Sequence, residues 1–369
     1  MDKDTKLVVG LDVHKETILV AVLPTNSDKI TKTMQIKNEA KVIEKTVKSL
    51  PQMGPIEFVY EAGPCGYEVQ RQISEMGHKC VVIAPSLIPV RPGDRVKTDR
   101  RDAEKLARLY RAGELTIIRV PTRAEEAARD LVRVREDAIE DRLRARHRLS
   151  KFLLRQGRMH EGKTSWGHAH WAWLKTQTFP FQPLQQTFEA YVKSVNDVQT
   201  HLAMVDHQVN DLAQITRYRT PVSYLRCLKG IDTLSALTLI VEAQDFRRFK
   251  EAPSFMSYTG LVVAEDTSAR KRRQGGITKA GNARLRRVLG EAAWSYRHGN
   301  FISRELRQRR EGCPAEIIQI AQKAQSRLGR TFRRLLHRNK PSQVAVTAVA
   351  RELAGFVWAI GQHCPVNTG

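Results

Sequence analysis

The chain has 369 residues, 62 Lys and Arg against 39 Asp and Glu, and 41% apolar residues, for a formal net charge of +23. A compact fold with such an excess repels itself unless a polyanion neutralises it, and counterion release from phosphates rewards that pairing, so nucleic acid is the leading partner. The apolar fraction excludes a wholly disordered chain, and the length suits two or three domains of about 100–200 residues each. No run of about 18 apolar residues is present, and the start (Met1, Asp2, Lys3, Asp4) lacks a basic region followed by an apolar stretch. Neither a membrane span nor a signal peptide is expected, and the expected compartment is the cytoplasm. Cys65, Cys80, Cys227, Cys313 and Cys364 are odd in number and lack C-x-x-C spacing, which reads as reduced and structural.

Residues 7–12 predict a buried strand, and residues 17–23 a second one after a short turn at 13–16, together a hairpin. A weaker strand near 33–36 precedes a helix over 39–50, where Ala40, Val42, Ile43, Val47 and Leu50 supply an apolar face. A strand over 56–61, a helix over 67–76 and a strand over 80–84 stopped by Pro85 follow, then a helix reaching Tyr110. The order β-β-β-α-β-α-β-α gives a mixed sheet with helices on its faces, as in a ribonuclease-H-like fold, and not a doubly wound nucleotide-binding sheet. From Ala124 to about Leu154 there is no Gly or Pro, and one long helix is expected. Residues 157–167 interrupt it, an aromatic stretch holds Trp166, Trp171, Trp173, Phe179 and Phe181, and a helical pattern resumes over 187–213, so the two helices would form a stalk. The aromatic stretch is expected to pack rather than to stack on RNA. A boundary is expected near 215–222, followed by an apolar helical run over 225–243 around Gly230 and an Arg-rich stretch over 270–338.

Asp12 ends the first strand and Glu61 the fourth, while Asp99 and Asp102 open the helix that runs to Tyr110. At i and i+3 two carboxylates face one side of a helical turn. Hard oxygen donors of this kind suit Mg2+ or Mn2+, and two such ions about 3.5–4 Å apart could clamp both oxygens of a phosphodiester displacement. Each acid alone has a simpler reading: a turn residue or, for Asp99, a helix cap. Their coincidence at matching ends of the expected topology favours a metal site. His14 could be a ligand or a proton carrier, but reads first as a surface turn residue.

Two C-terminal patterns stand out. Leu228-Lys229-Gly230-Ile231 resembles the hairpin of a helix-hairpin-helix module, with Asp232 where a second glycine is usual; a plain helix-helix turn is the equal alternative. Further on, Tyr258-Thr259-Gly260-Leu261-Val262 is followed by Thr267 and Ser268, the cations Arg270, Lys271, Arg272 and Arg273, and then Gly275-Gly276-Ile277-Thr278-Lys279-Ala280-Gly281-Asn282. A basic run alone is a phosphate-binding run. A neighbouring hydroxyl adds the option of nucleophilic attack on phosphorus assisted by guanidinium groups, for which Ser268 competes with Thr267, Thr278 and Ser295.

Together with Gly10-Leu11-Asp12-Val13-His14-Lys15, Tyr60-Glu61-Ala62 and Lys97-Thr98-Asp99-Arg100-Arg101-Asp102-Ala103, these motifs resemble the bacterial insertion-sequence transposases of the IS-one-ten and IS-eleven-eleven groups, relatives of the pilin-inverting DNA invertases. The resemblance spans residues 7–112 and 225–297; the middle helices match in character only. It implies a RuvC-like domain over 1–120 with a DEDD acid set, a helical coiled-coil stalk over 121–217 and a mostly helical transposase domain over 218–369 with an essential serine. The implied metal-binding and catalytic acids are Asp12, Glu61, Asp99 and Asp102, the implied nucleophile is Ser268, and Arg270, Lys271, Arg272, Arg273 and Lys279 would grip nucleic acid. It further implies recombination of donor and target DNA through a phosphoserine link, guided by a structured noncoding bridge RNA. The site would be composite, made by the acid domain of one subunit and the serine domain of another in a dimer of dimers. Ala269 stands where the family pattern has Gly, and Val263 where it has Pro. The rival reading is a metal-dependent nuclease or junction resolvase that hydrolyses DNA with water; a second rival is a non-catalytic binder, whose acids would be surface turns.

Overall fold

The computed structural model describes residues 5–51, 54–89, 98–162, 164–268, 271–299 and 301–365, with backbone alone for Thr267, Ser268, Lys271 and Arg272. The chain divides into two compact units, Met1–Pro121 and Thr122–Gly369.

In the first unit, strands β1 (Leu7–Val13), β2 (Thr17–Pro24) and β3 (Lys32–Lys37) form an antiparallel lead. Strands β4 (Ile56–Glu61) and β5 (Lys79–Ile83) then add in parallel beside β1, and a two-residue antiparallel edge strand, β6 (Ile117–Ile118), closes the order β3-β2-β1-β4-β5-β6. The sequence did not announce β6, whose two isoleucines are too short a run to carry a period. The sheet is covered on both faces, consistent with a RuvC-like domain. Helices α1 (Ala40–Lys48) and α2 (Glu68–Glu75) bury Ile43, Val47, Val69 and Ile73 against the face bearing Leu7, Val9 and Leu11, with Val20, Phe58 and Tyr60. Helix α3 (Asp99–Arg111) covers the opposite face, where Leu106, Ala107 and Tyr110 meet Val8, Val59, Val81 and Ile83. Alternation of side chains along each strand sorts them between these two cores.

The second unit opens with two 33-residue helices, α4 (Arg123–Arg155) and α6 (Gln182–Gln214). Thr122 and Glu125 form a reciprocal capping box at the start of α4. Buried residues recur at seven-residue spacing, Ala138, Ala145 and Phe152 on α4 and Phe188, Val195, Leu202 and Val209 on α6, the repeat of a coiled-coil seam. The Arg135–Asp206 and Arg146–Gln199 contacts fix the pair as antiparallel. At its far end the aromatic stretch forms a short helix, α5 (His168–Lys175), absent from the sequence expectation. Trp166, Trp171, Trp173 and Phe179 pack there against a core of Leu149, Phe152 and Phe188, while Phe181 is exposed.

At the near end, Ala128, Val132, Val205 and Val209 belong to the same core as the helices that follow. These are α7 (Thr216–Leu225), α8 (Thr233–Ala243), α9 (Ala252–Tyr258), α10 (Ala283–Ala293), α11 (Arg304–Arg310), α12 (Ala315–His337) and α13 (Ser342–Gly361). The apolar run expected over 225–243 is thus a turn followed by a helix, because Gly230 takes a φ of 83°. Helix α13 is long and apolar enough to cross a membrane, yet Val349, Leu353, Val357 and Ile360 are wholly buried in this core. All five cysteines are free thiols.

Candidate active site

The acids of the first unit are placed by backbone geometry. Strands β1 and β4 run parallel with Leu11 opposite Tyr60, so Asp12 and Glu61 follow side by side at the carboxyl ends of neighbouring central strands, the place where open α/β sheets bind ligands. Asp12 projects to the same face as Gly10, two residues before it. A Cβ on Gly10 would lie 2.0 Å from the Ala103 carbonyl oxygen and 3.0 Å from the Ala107 nitrogen, so only glycine lets α3 rest directly on β1. That close approach brings the first turn of α3, with Asp99 and Asp102, to the end of β1. The cap of α3 is Thr98, whose hydroxyl accepts from the Arg101 amide, so the alternative reading of Asp99 as the cap is corrected. At the other end of α3, the Tyr110 hydroxyl donates to the buried carboxylate of Glu57, which also accepts from Thr5 (2.7 Å) and Lys79 (3.2 Å). Glu57 was not singled out in the sequence; its position four residues before Glu61, on the same strand face, was the available signal.

Asp12, Glu61, Asp99 and Asp102 all line one open cleft of about 890 Å³, with His14, Asn38 and Cys65. His14 is held by backbone contacts: its amide donates to the Thr17 carbonyl (2.9 Å) and its carbonyl accepts from Asn38 (2.8 Å). Its Nε2 lies 3.2 Å from Asp12 Oδ2 and 3.6 Å from Asp99 Oδ2. One donor atom from each of Asp12, His14 and Asp99 falls within 4.8 Å of the others, an arrangement that could hold a metal ion. The reading of His14 as a plain surface turn residue therefore misses its side chain's position between two carboxylates. Burial raises the Asp12 pKa above its ordinary value, the His14 imidazole opposes the shift, and the Asp99 and Asp102 carboxylates add to it. A cation here would relieve the repulsion among these like charges.

The serine lies in the second unit. Strands β7 (Val263–Ser268) and β8 (Lys271–Ile277) form an antiparallel hairpin that puts Ser268 opposite Lys271 and Thr267 opposite Arg272, next to the tip. The expected cation Arg270 and the variant position Ala269 lie outside the described residues. Arg273, opposite Asp266, and Lys279 are exposed. The two flanking motifs pair to make the base of the hairpin. Thr278 and Lys279 amides donate to the Val262 and Gly260 carbonyls, and the Asn282 amide donates to the Tyr258 carbonyl. Gly281, at φ 145°, has no room for a Cβ, which would meet that same carbonyl at 2.3 Å. Asn282 caps α10 and donates through Nδ2 to buried Glu242 (2.7 Å), which also receives both Nε and Nη2 of Arg133. Gly and Asn of this motif are thus supports, and Thr259, wholly buried, is another. The turn 228–231 is packed inward: a Cβ on Gly230 would meet the Ala292 carbonyl at 2.4 Å, and Asp232 caps α8 and pairs with Arg226. This geometry favours the plain helix-helix turn.

A sequence profile described as transposase, of the DEDD IS110 type, matches residues 9–156, and that of the transposase IS116/IS110/IS902 family matches residues 222–307. The chain is 40% identical to a Sinorhizobium fredii protein assigned as transposase y4qE, over 98% of this chain and 90% of the relative. It is also 36% identical to the transposase for insertion sequence element IS1533 of Leptospira borgpetersenii, over 91% of this chain and 98% of the relative. The chain belongs to the IS110 family of insertion-sequence transposases. An IS110-family transposase cuts and rejoins DNA, and its DEDD domain implies a divalent metal, which Asp12, His14 and Asp99 in this cleft could hold.

Proposed function

We propose that this IS110-family transposase joins DNA through a covalent phosphoserine link, with Ser268 as the nucleophile and Asp12, Glu61, Asp99 and Asp102 as the metal-holding acids of a RuvC-like domain. The observation that carries the reading is the convergence of the four acids on one cleft at the carboxyl ends of β1 and β4. The donor set fits Mg2+ or Mn2+: it is dominated by hard carboxylate oxygens, and the mutual repulsion that helps to raise the Asp12 pKa is what a bound cation would remove. When bound, the metal supplies Lewis-acid polarisation of a phosphodiester oxygen.

The protein's own groups do the rest. The Ser268 hydroxyl oxygen forms a bond to phosphorus as its proton is lost, the phosphorus–oxygen bond to one deoxyribose breaks, and the leaving oxygen takes up one proton in exchange to become a free sugar hydroxyl. Return of a sugar hydroxyl reverses the exchange, so the bond energy is conserved without an external energy source. Lys271, Arg272, Arg273 and Lys279, with Arg270, are proposed to grip the backbone and offset charge at phosphorus. A surface that contacts backbones suits a protein whose sequence choice is made by a bridge RNA pairing with donor and target DNA. The acids and the serine belong to different compact units, which accommodates a composite site shared between subunits of a dimer of dimers.

Ser268→Ala is expected to abolish the protein–DNA adduct trapped by denaturant while RNA binding is retained. An undiminished adduct overturns the serine assignment, and DNA cleavage by the unmodified protein with no adduct at any stage would establish the hydrolytic nuclease instead.

A further inference from the structure

We infer that the exposed face of α12 is a second nucleic-acid backbone surface, separate from the hairpin cations and outside the residues matched by either family profile. Between residues 317 and 340 the sequence has seven Lys and Arg and no Asp or Glu. Helical spacing gathers them. Lys323, Arg327, Arg330, Arg334 and Arg338 follow one another at intervals of four, three, four and four, so their side chains fall within about a third of the helix circumference. All five are exposed. The opposite face holds Ile317, Ala321, Ala324, Leu328 and Phe332 in the core of the second unit, which fixes the helix and therefore the cations it presents.

A basic helix face is often only a solvated one, and α4 shows what that looks like. Over residues 123–144 of that helix acids and bases are interspersed, and Arg144 pairs with Glu140 and Asp141. On α12, Arg327 pairs with Glu352, and no ion pair is found for Lys323, Arg330, Arg334 or Arg338 among the described residues. Four unneutralised cations on one rigid stripe are held close against their mutual repulsion, and a polyanion removes that repulsion. From Lys323 to Arg338 the stripe spans about 22 Å at 1.5 Å per residue. That matches about six base pairs of duplex, whose phosphates carry one charge per ~1.7 Å of axis. The ligand chemistry is the phosphodiester backbone of a nucleic-acid duplex. Lys and Arg contacts of this kind set register and affinity and read no sequence, and the surface does not depend on whether Ser268 is the nucleophile.

The test is the salt dependence of binding by the full chain to a mixed-sequence 30-base-pair DNA duplex and, separately, to an RNA duplex of the same length. The variant carries Lys323→Gln, Arg330→Gln, Arg334→Gln and Arg338→Gln. A control variant with Lys37→Gln, Lys48→Gln, Arg144→Gln and Lys193→Gln, each an exposed cation that already has an acidic partner, lowers the net charge equally. Each lost phosphate contact on DNA lowers the slope of log K against log salt by about 0.9, so a fall of about 3 to 4 is expected for the α12 variant, against less than about 1 for the control. The duplex that shows the fall identifies whether DNA or RNA occupies the face. An unchanged slope on both duplexes, or an equal fall in the control, overturns the proposal; circular dichroism verifies that both variants fold.

Discussion

Glu242 shows how a single buried charge can tie together helices that are remote in sequence. Its carboxylate is almost fully buried on α8 and is tied to Arg133 of α4 and to Asn282, the cap of α10 at the foot of the β7–β8 hairpin. Burial alone would raise its pKa, but the Arg133 hydrogen bond and charge, with Asn282 and Arg284, bring it below the ordinary 4.5. A depressed carboxylate stabilises the fold above its unfolded pKa and loses that contribution as pH falls through the folded value. Glu242→Gln leaves Arg133 without its counter-charge and is expected to cost about 3 kcal/mol at pH 7, since removing one partner of a buried pair is strongly destabilising. Urea midpoints should show the gap between the two proteins shrinking below about pH 4.5. At this scale the sequence was partly legible. Asp12, Glu61, Asp99 and Asp102 could be singled out because a carboxylate at a strand end or in a first helical turn has a position that local pattern predicts. His14 reads as a possible ligand but first as a surface turn residue, and Glu242 is not singled out, because what distinguishes them is which side chains of remote segments approach them.

Helix α3 is the element on which the acid cleft depends. Its sequence gives a helix reaching Tyr110, with Asp99 as one candidate cap where the structure has Thr98, and nothing about where it docks. The docking is set by Gly10 beneath Ala103 and Ala107 and by the Tyr110–Glu57 hydrogen bond at the far end. Gly10→Ala forces α3 away from β1; overpacking of this kind costs about 1–3 kcal/mol. The displaced first turn should also weaken Mn2+ binding roughly tenfold, the usual scale for losing support of a ligand shell. Titration calorimetry with Mn2+ checks the second effect, and unchanged affinity would show that the cleft tolerates movement of α3. The hairpin of β7 and β8 was the element least legible in the sequence. Asp266-Thr267-Ser268 and Lys271-Arg272-Arg273-Gln274 lack apolar alternation, and the described side chains of residues 264–266 and 273–274 are exposed, so the period-2 signal that betrays a half-buried strand is missing. Its base was visible only as motifs, of which Gly260, Gly281 and Asn282 proved to be the residues that pin it.

The molecule as a whole holds two compact units, each with cores of its own. Calorimetry is expected to resolve two unfolding transitions, with Gly10→Ala lowering only the one that belongs to residues 1–121 and Glu242→Gln only the other, because distant sites with no shared partners act additively. A single transition shifted by both changes would contradict that independence. The basic charge, the mixed sheet with its order of strands and helices, the long helices and the family were determined by the sequence alone, since composition, hydrophobic period and local motifs are properties of neighbours along the chain. The tertiary structure alone decided that four carboxylates share a cleft with His14, that α3 rests on a glycine, and that the cations of α12 stand exposed on a face backed by a core. These depend on close approach between segments far apart in sequence, and no local pattern encodes the distance across a fold.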